Sequence, residues 1–158
     1  MSAPAPELAA LWPALVSLPV TWAALPEQGV TLPGGTHLSF RDAPDGTHHL
    51  DTVLHASEDF TELFDGRGNY TEEELDDPSA VVDRRWDEAR AMLGTVLAGA
   101  IRVLGEPAEA VESHPGRVSW PLEDRTIVVG LNQADQDCPV EVRLWLLPPG
   151  RTLDSLGL

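Results

Sequence analysis

Four of the five histidines, His37, His48, His49 and His55, fall within residues 36–55. That stretch reads as a β-hairpin. Ala43-Pro44-Asp45-Gly46-Thr47 supplies the turn, with proline presetting φ and glycine supplying a positive φ. Pairing Arg41 with His49 and Phe40 with Leu50 sends Leu38, Phe40, Leu50 and Leu54 to one face. His37, Ser39, Arg41, His49, Asp51 and His55 then share the other. Imidazoles and a carboxylate on one strand face can ligate zinc or exchange protons. His49 and Asp51 are two residues apart, and Ser39 would lie opposite Asp51, so a Ser-His-Asp arrangement is conceivable. The candidate catalytic set is His37, His49, Asp51 and His55, serving a small hydrolase or metal-dependent enzyme. Against it, the alternation predicts that this face meets water with no enclosing pocket, an ordinary polar strand surface.

The second concentration of chemistry is acidic. Residues 58–77 hold Glu58, Asp59, Glu62, Asp65, Glu72, Glu73, Glu74, Asp76 and Asp77 against one base, Arg67. The segment's net −8 is half the formal −16 of the whole chain. A calcium loop of EF-hand type can be laid on it from Asp65, through Asn69, Thr71 and Glu73 to Asp76. The fit fails at Arg67, where a carboxylate belongs, and at Tyr70, where the loop's sharp turn needs glycine. The last ligand is Asp rather than a bidentate Glu. Thr71-Glu72-Glu73-Glu74 has a local explanation instead: Thr71 is the N-cap and Glu74 the N3 residue of a capping box, and acids in a first turn suit the helix dipole. No metal or cofactor is assigned.

Several function classes are excluded. A charge of −16 repels nucleic acid and anionic membranes and attracts basic partners. All ten basic residues are arginines; a GC-rich genome accounts for that, with a salt-adapted surface as the alternative. A single cysteine, Cys138, permits no internal disulfide and no thiolate metal cage, which fits a reducing, cytoplasmic location. Gly66-Arg67-Gly68 lacks the third glycine and the preceding strand of a dinucleotide site. The chain has no Walker loop, no His-Glu-x-x-His and no Gly-x-Ser-x-Gly.

The elements that position these residues follow from periodicity. Leu8, Leu11, Trp12 and Leu15 mark an N-terminal amphipathic helix, kinked or restarted at Pro13; Glu7, Pro13, Pro19 and the missing basic region argue against a signal peptide. A strand is predicted over residues 20–25. Asp77 as N-cap, Pro78 at the first helical position and Gly105 with Pro107 at the end bound one long helix. Its expected apolar stripe is Val82, Trp86, Ala89, Leu93, Val96, Ala100 and Leu104, with Arg84, Arg85, Asp87, Glu88 and Arg90 opposite. Gly94, Thr95, Ala98 and Gly99 form a small-residue patch suited to another helix or to a homodimer. The C-terminal third alternates as a three-stranded meander, and Trp145 with Leu147 on its second face implies cover there as well.

The expected fold is a single α+β domain over residues 1–158, in the order α-β-β-β-α-β-β-β, with an antiparallel sheet of five to six strands packed on one long helix. By class alone this resembles small acidic α+β partner proteins, such as secretion chaperones and toxin-neutralising immunity proteins. The function expected is therefore a non-enzymatic, cytoplasmic interaction protein whose acids at 58–77 bind a basic protein partner, without direct contact to nucleic acid or membrane.

Overall fold

Alternating apolar residues in five of the six strands, and the one long helical period, meet across a single sheet in the computed structural model, which describes residues 5–66, 68, 70–108 and 116–158. The chain runs α1 (Ala5–Ser17), β1 (Val30–Thr31), β2 (His37–Asp42), β3 (His48–Ala56), α2 (Thr61–Phe64), α3 (Glu72–Asp76), α4 (Pro78–Leu104), β4 (Val118–Pro121), β5 (Thr126–Asn132), β6 (Glu141–Leu147) and α5 (Leu153–Leu156). The six strands pair antiparallel in the order β1-β2-β3-β6-β5-β4. The α+β expectation holds, with β3 and β6 at the centre.

The first face of the sheet packs on α1 and α4. Leu38, Leu50, Leu144 and Leu146 are fully buried there with Trp12 and Leu15 of α1 and Ala100 of α4. The β2–β3 register is Phe40 against Leu50 and Arg41 against His49, as the hydrophobic alternation requires. The turn closes with Gly46 N–H on Ala43 O at 2.8 Å, and Gly46 has φ 84°.

Pro13 lies inside α1 without ending it. It lacks the N–H that would meet Ala9 O, but burial of Leu11, Trp12 and Leu15 outweighs one lost bond. The C-terminal end of α1 is held by Arg125, 4% exposed, whose Nη1 donates to Leu15 O at 2.9 Å.

The predicted strand at 20–25 does not form. Trp22–Ala24 is a single 3₁₀ turn between Pro19 and Pro26, and Trp22 Nε1 donates to Asp124 O at 2.9 Å. Anchored to the β4–β5 turn, this segment bridges α1 to the sheet, and Val30–Thr31 takes the edge position beside β2.

The apolar stripe of α4 is corrected at its N-terminal end. The buried positions are Val81, Arg85, Ala89, Leu93, Val96 and Ala100, whereas Val82 and Trp86 are only half-buried. The helix is rotated so that an arginine, not a tryptophan, points inward. The caps stand as expected: Asp77 Oδ1 accepts from Ala80 N, and Gly105 closes the helix with φ 82°.

The second face of the sheet is covered by α5. Val128, Trp145 and Leu147 pack with Ala43, Leu153 and Leu156. Arg151 ties this cover to the hairpin turn, pairing with Asp45 and donating to Thr47 Oγ1 at 2.9 Å. The cover implied by Trp145 and Leu147 is therefore a C-terminal helix that periodicity did not reveal.

Candidate functional site

The hairpin's polar face is not open to water. His49 is 2% and Asp51 4% exposed. Asp51 spans two guanidinium groups, with Oδ1 3.1 Å from Arg41 Nε and Oδ2 2.9 Å from Arg143 Nη1. Glu141 holds Arg143 Nη2 from the other side at 3.0 and 3.1 Å. The His49 side chain makes no hydrogen bond among the described residues, so Asp51 turns to the arginines rather than to the imidazole.

The four sequence candidates do not converge. His37 is exposed near the β1 edge, its Nδ1 2.9 Å from Thr31 Oγ1. Four residues along β2 from Arg41, which lies opposite His49, His37 is about 13 Å away along the strand. A register shift between Val53 and His55 sets His55 opposite Val142, a core residue of the helix-packed face. The bulge thus turns His55 away from His49 and Asp51. His48 lies on the first face, 2.8 Å from Asp42 Oδ1 and edge-on to Phe40. Among the described residues no three His, Cys, Asp or Glu side chains form a metal-binding group.

What the second face does hold is a cavity of about 360 Å³, lined by Arg41, His49, Asp51, Arg117, Arg143 and Trp145 among others. Arg117, 7% exposed, stacks 4.8 Å over Trp145. Its Nη2 donates to Asn132 Oδ1 at 3.3 Å and its Nε to Leu131 O at 3.5 Å. Gly130 makes this possible: a Cβ there would stand 2.4 Å from Arg117 Cγ and 2.8 Å from Arg117 Cα. Burial lowers the Arg117 pKa from its ordinary value, opposed by the charge of Asp154. Sequence reasoning missed Arg117. The available signal was a glycine inside an apolar strand, which marks close approach of other atoms.

Burial also lowers the pKa of His49 from its ordinary 6.5, with Asp51 opposing, and lowers that of His55. Above pH 6.5 both rings are neutral in folded and unfolded chains, and their contribution is complete. As the pH falls below 6.5 the unfolded chain takes up the proton first, so stability declines towards the folded values. Denaturant melts between about pH 7 and pH 5 should therefore show falling stability, and His49→Gln should make that fall shallower. An identical slope in the variant would remove His49 from this account.

The acidic segment is built around Arg85. Its Nη1 donates to Asp59 O at 2.7 Å and Glu58 O at 3.4 Å, and its Nη2 donates to Tyr70 OH at 2.7 Å and Glu58 Oε2 at 3.3 Å. The guanidinium also faces the rings of Phe60 and Tyr70, at 5.0 and 5.6 Å. Phe60, Leu63 and Val81 close a small core beneath it. Glu58, Asp59, Glu62 and Tyr70 line a cleft of about 510 Å³. The Thr71–Glu74 capping box is present, with Glu74 N on Thr71 Oγ1 at 3.1 Å and Thr71 N on Glu74 Oε1 at 3.0 Å. These bonds, with Arg84 at 3.0 Å, lower the Glu74 pKa. Glu58, Asp59, Glu62, Asp65, Glu72, Glu73, Asp76 and Asp77 are exposed, and Glu74 is half-buried. Of the calcium-loop positions, Arg67 and Asn69 lie outside the described residues. Tyr70, at the position that needs glycine, is held by Arg85.

Of the small-residue patch of α4, Gly99 meets α1 within the chain, while Gly94, Thr95 and Ala98 are exposed. A Cβ at Gly99 would lie 3.5 Å from Trp12 Nε1, whereas Gly94 has nothing within 4 Å. Among the described residues no helix is long and apolar enough to cross a membrane. Comparison with protein-family models, curated proteins and solved structures found no match.

Proposed function

We propose that this chain is a non-enzymatic, cytoplasmic interaction protein that captures a basic protein partner on the acidic surface at 58–77. The observation that carries this reading is Arg85. One buried guanidinium gathers the carbonyls of Glu58 and Asp59 and the Tyr70 hydroxyl, and so orders the carboxylates around one cleft. Ordering charges before the partner arrives lowers the entropic cost of binding, and their sign speeds encounter with a basic surface. The enzyme reading retains only His49 and Asp51 as neighbours in a cavity. Asp51 is engaged by two arginines there, so binding is the better-supported reading.

The test compares two triple variants of equal charge. One changes Glu62, Glu72 and Glu73 to glutamine; the other does the same to Glu27, Glu106 and Glu123, exposed elsewhere. Partners captured from the native host are identified with the unaltered chain and then titrated against both variants. The first variant should slow association with the basic partner about tenfold at low salt, and the second should leave it nearly unchanged. Equal effects would reduce the acids to a solubilising surface.

A further inference from the structure

We infer that the outward face of α4 pairs antiparallel with the same face of a second copy of this chain, forming a two-fold dimer. Six exposed residues mark that face: Asp87, Ala91, Gly94, Thr95, Ala98 and Arg102. Their successive spacings of 4, 3, 1, 3 and 4 keep them on one side of the helix, away from the buried Ala89, Leu93, Val96 and Ala100. The spacing reads the same from either end. A two-fold axis between Gly94 and Thr95 therefore sets Ala91 against Ala98 and Asp87 against Arg102, each contact occurring twice.

The charges at the two ends are complementary only in this arrangement. Asp87 and Arg102 stand about 22 Å apart along the helix. Antiparallel copies bring carboxylate to guanidinium at both ends, whereas parallel copies would oppose Asp87 to Asp87 and Arg102 to Arg102. The Arg102 side chain makes no hydrogen bond or ion pair among the described residues. Asp87 makes one exposed contact, at 3.0 Å from Arg90 Nη1, and such pairs exchange at little cost. A chain of −16 repels its own copies, so self-contact is favoured where acids are absent. Residues 89–105 of α4 hold two arginines and no acid, and residues 8–26 hold no charged residue at all. Alanine and glycine at the crossing let two helix axes approach to about 8 Å, the close end of the usual range. Beside them an apolar groove of about 550 Å³ opens between α1 and α4, with Leu8, Ala9 and Trp12 along its α1 side. One helix pair with this flank makes a small interface, which predicts weak, concentration-dependent association.

Sedimentation equilibrium of the full chain, from about 10 μM to 1 mM in about 0.15 M salt, should show monomer and dimer and nothing larger. Asp87→Arg should weaken the dimer about tenfold by setting two arginines together at each end, although it makes the chain less negative as a whole. Arg102→Asp should weaken it similarly by opposing two carboxylates. The two reversals combined restore opposite charges at both ends and leave the net −16 unchanged, so association should return to within about threefold of the unaltered chain. Circular dichroism reports whether each variant folds. Independently of any variant, the amide resonances of Ala91, Gly94 and Ala98 should move with concentration in the unaltered chain while those of β4 stay fixed. A monomer throughout the range, species beyond the dimer, concentration shifts that spare α4, or folded single reversals that leave the dimer intact would each overturn the pairing. So would a folded double reversal that fails to restore it.

Discussion

Asp51→Ala should cost about 3 kcal/mol of folding stability, seen as a fall in Tm of roughly 6–12 °C for a chain of this size. Asp51 is 4% exposed and separates two positive groups, and the side chain of Arg143 is only 18% exposed. Removing the carboxylate leaves Arg143 with Glu141 alone and brings Arg41 and Arg143 together without their bridge. A buried charge that loses its partner is strongly destabilising, whereas replacing the whole pair is not. Asp51→Leu combined with Arg143→Met and Glu141→Gln, which leaves no carboxylate of the cluster without its arginine, should therefore recover much of the loss. Equilibrium unfolding in denaturant measures both variants. A change of under about 0.5 kcal/mol in Asp51→Ala, the ordinary scatter of surface substitutions, would show that the bridge contributes nothing.

Arg85→Met should cost about 2–4 kcal/mol and release the segment at 58–77 from its folded partners. The loss follows from carbonyls and a hydroxyl that lose a charged donor, each such bond worth about 1.5–3 kcal/mol with partial recovery from water. Hydrogen exchange would show the second consequence: protection should fall in α2 and around Tyr70 while the β3–β6 pairing keeps its protection. Arg85→Lys should rescue little, because one ammonium cannot reach Glu58 O, Asp59 O and Tyr70 OH in the planar fan that the guanidinium provides. Arg84→Ala, one residue away on the exposed side, should leave stability almost unchanged. If Arg85→Met melts like the unaltered chain and retains protection near Tyr70, the acidic surface is not organised by this residue. The same variant bears on function, since disordering the carboxylates should weaken partner capture without altering the charge of any acid.

The contrast between Arg84 and Arg85 shows where sequence patterning stops. Along α4 the period of 3.6 is satisfied by Val82 and Trp86 or, one step round, by Val81 and Arg85. The second choice prevails because the carbonyls and Tyr70 of a distant segment satisfy the guanidinium. The hairpin face behaves in the same way. Alternation correctly put His49 and Asp51 on the side opposite Leu50, but whether that side meets water depends on Arg117, Arg143 and Trp145, which lie far along the chain.

What the sequence by itself determined is local. The hairpin register, the caps of α4, the Thr71–Glu74 box and the alternation of β5 and β6 all depend on residues a few positions apart, where sterics and hydrogen bonding have one good solution. The tertiary structure alone decided the pairing of β3 with β6, the bulge that removes His55 from its expected neighbours, the inward turn of Arg85 and the cavity beside Arg117 and His49. Each depends on partners brought together across long chain separations. Burial there creates charge pairing and desolvation that no short window of residues contains.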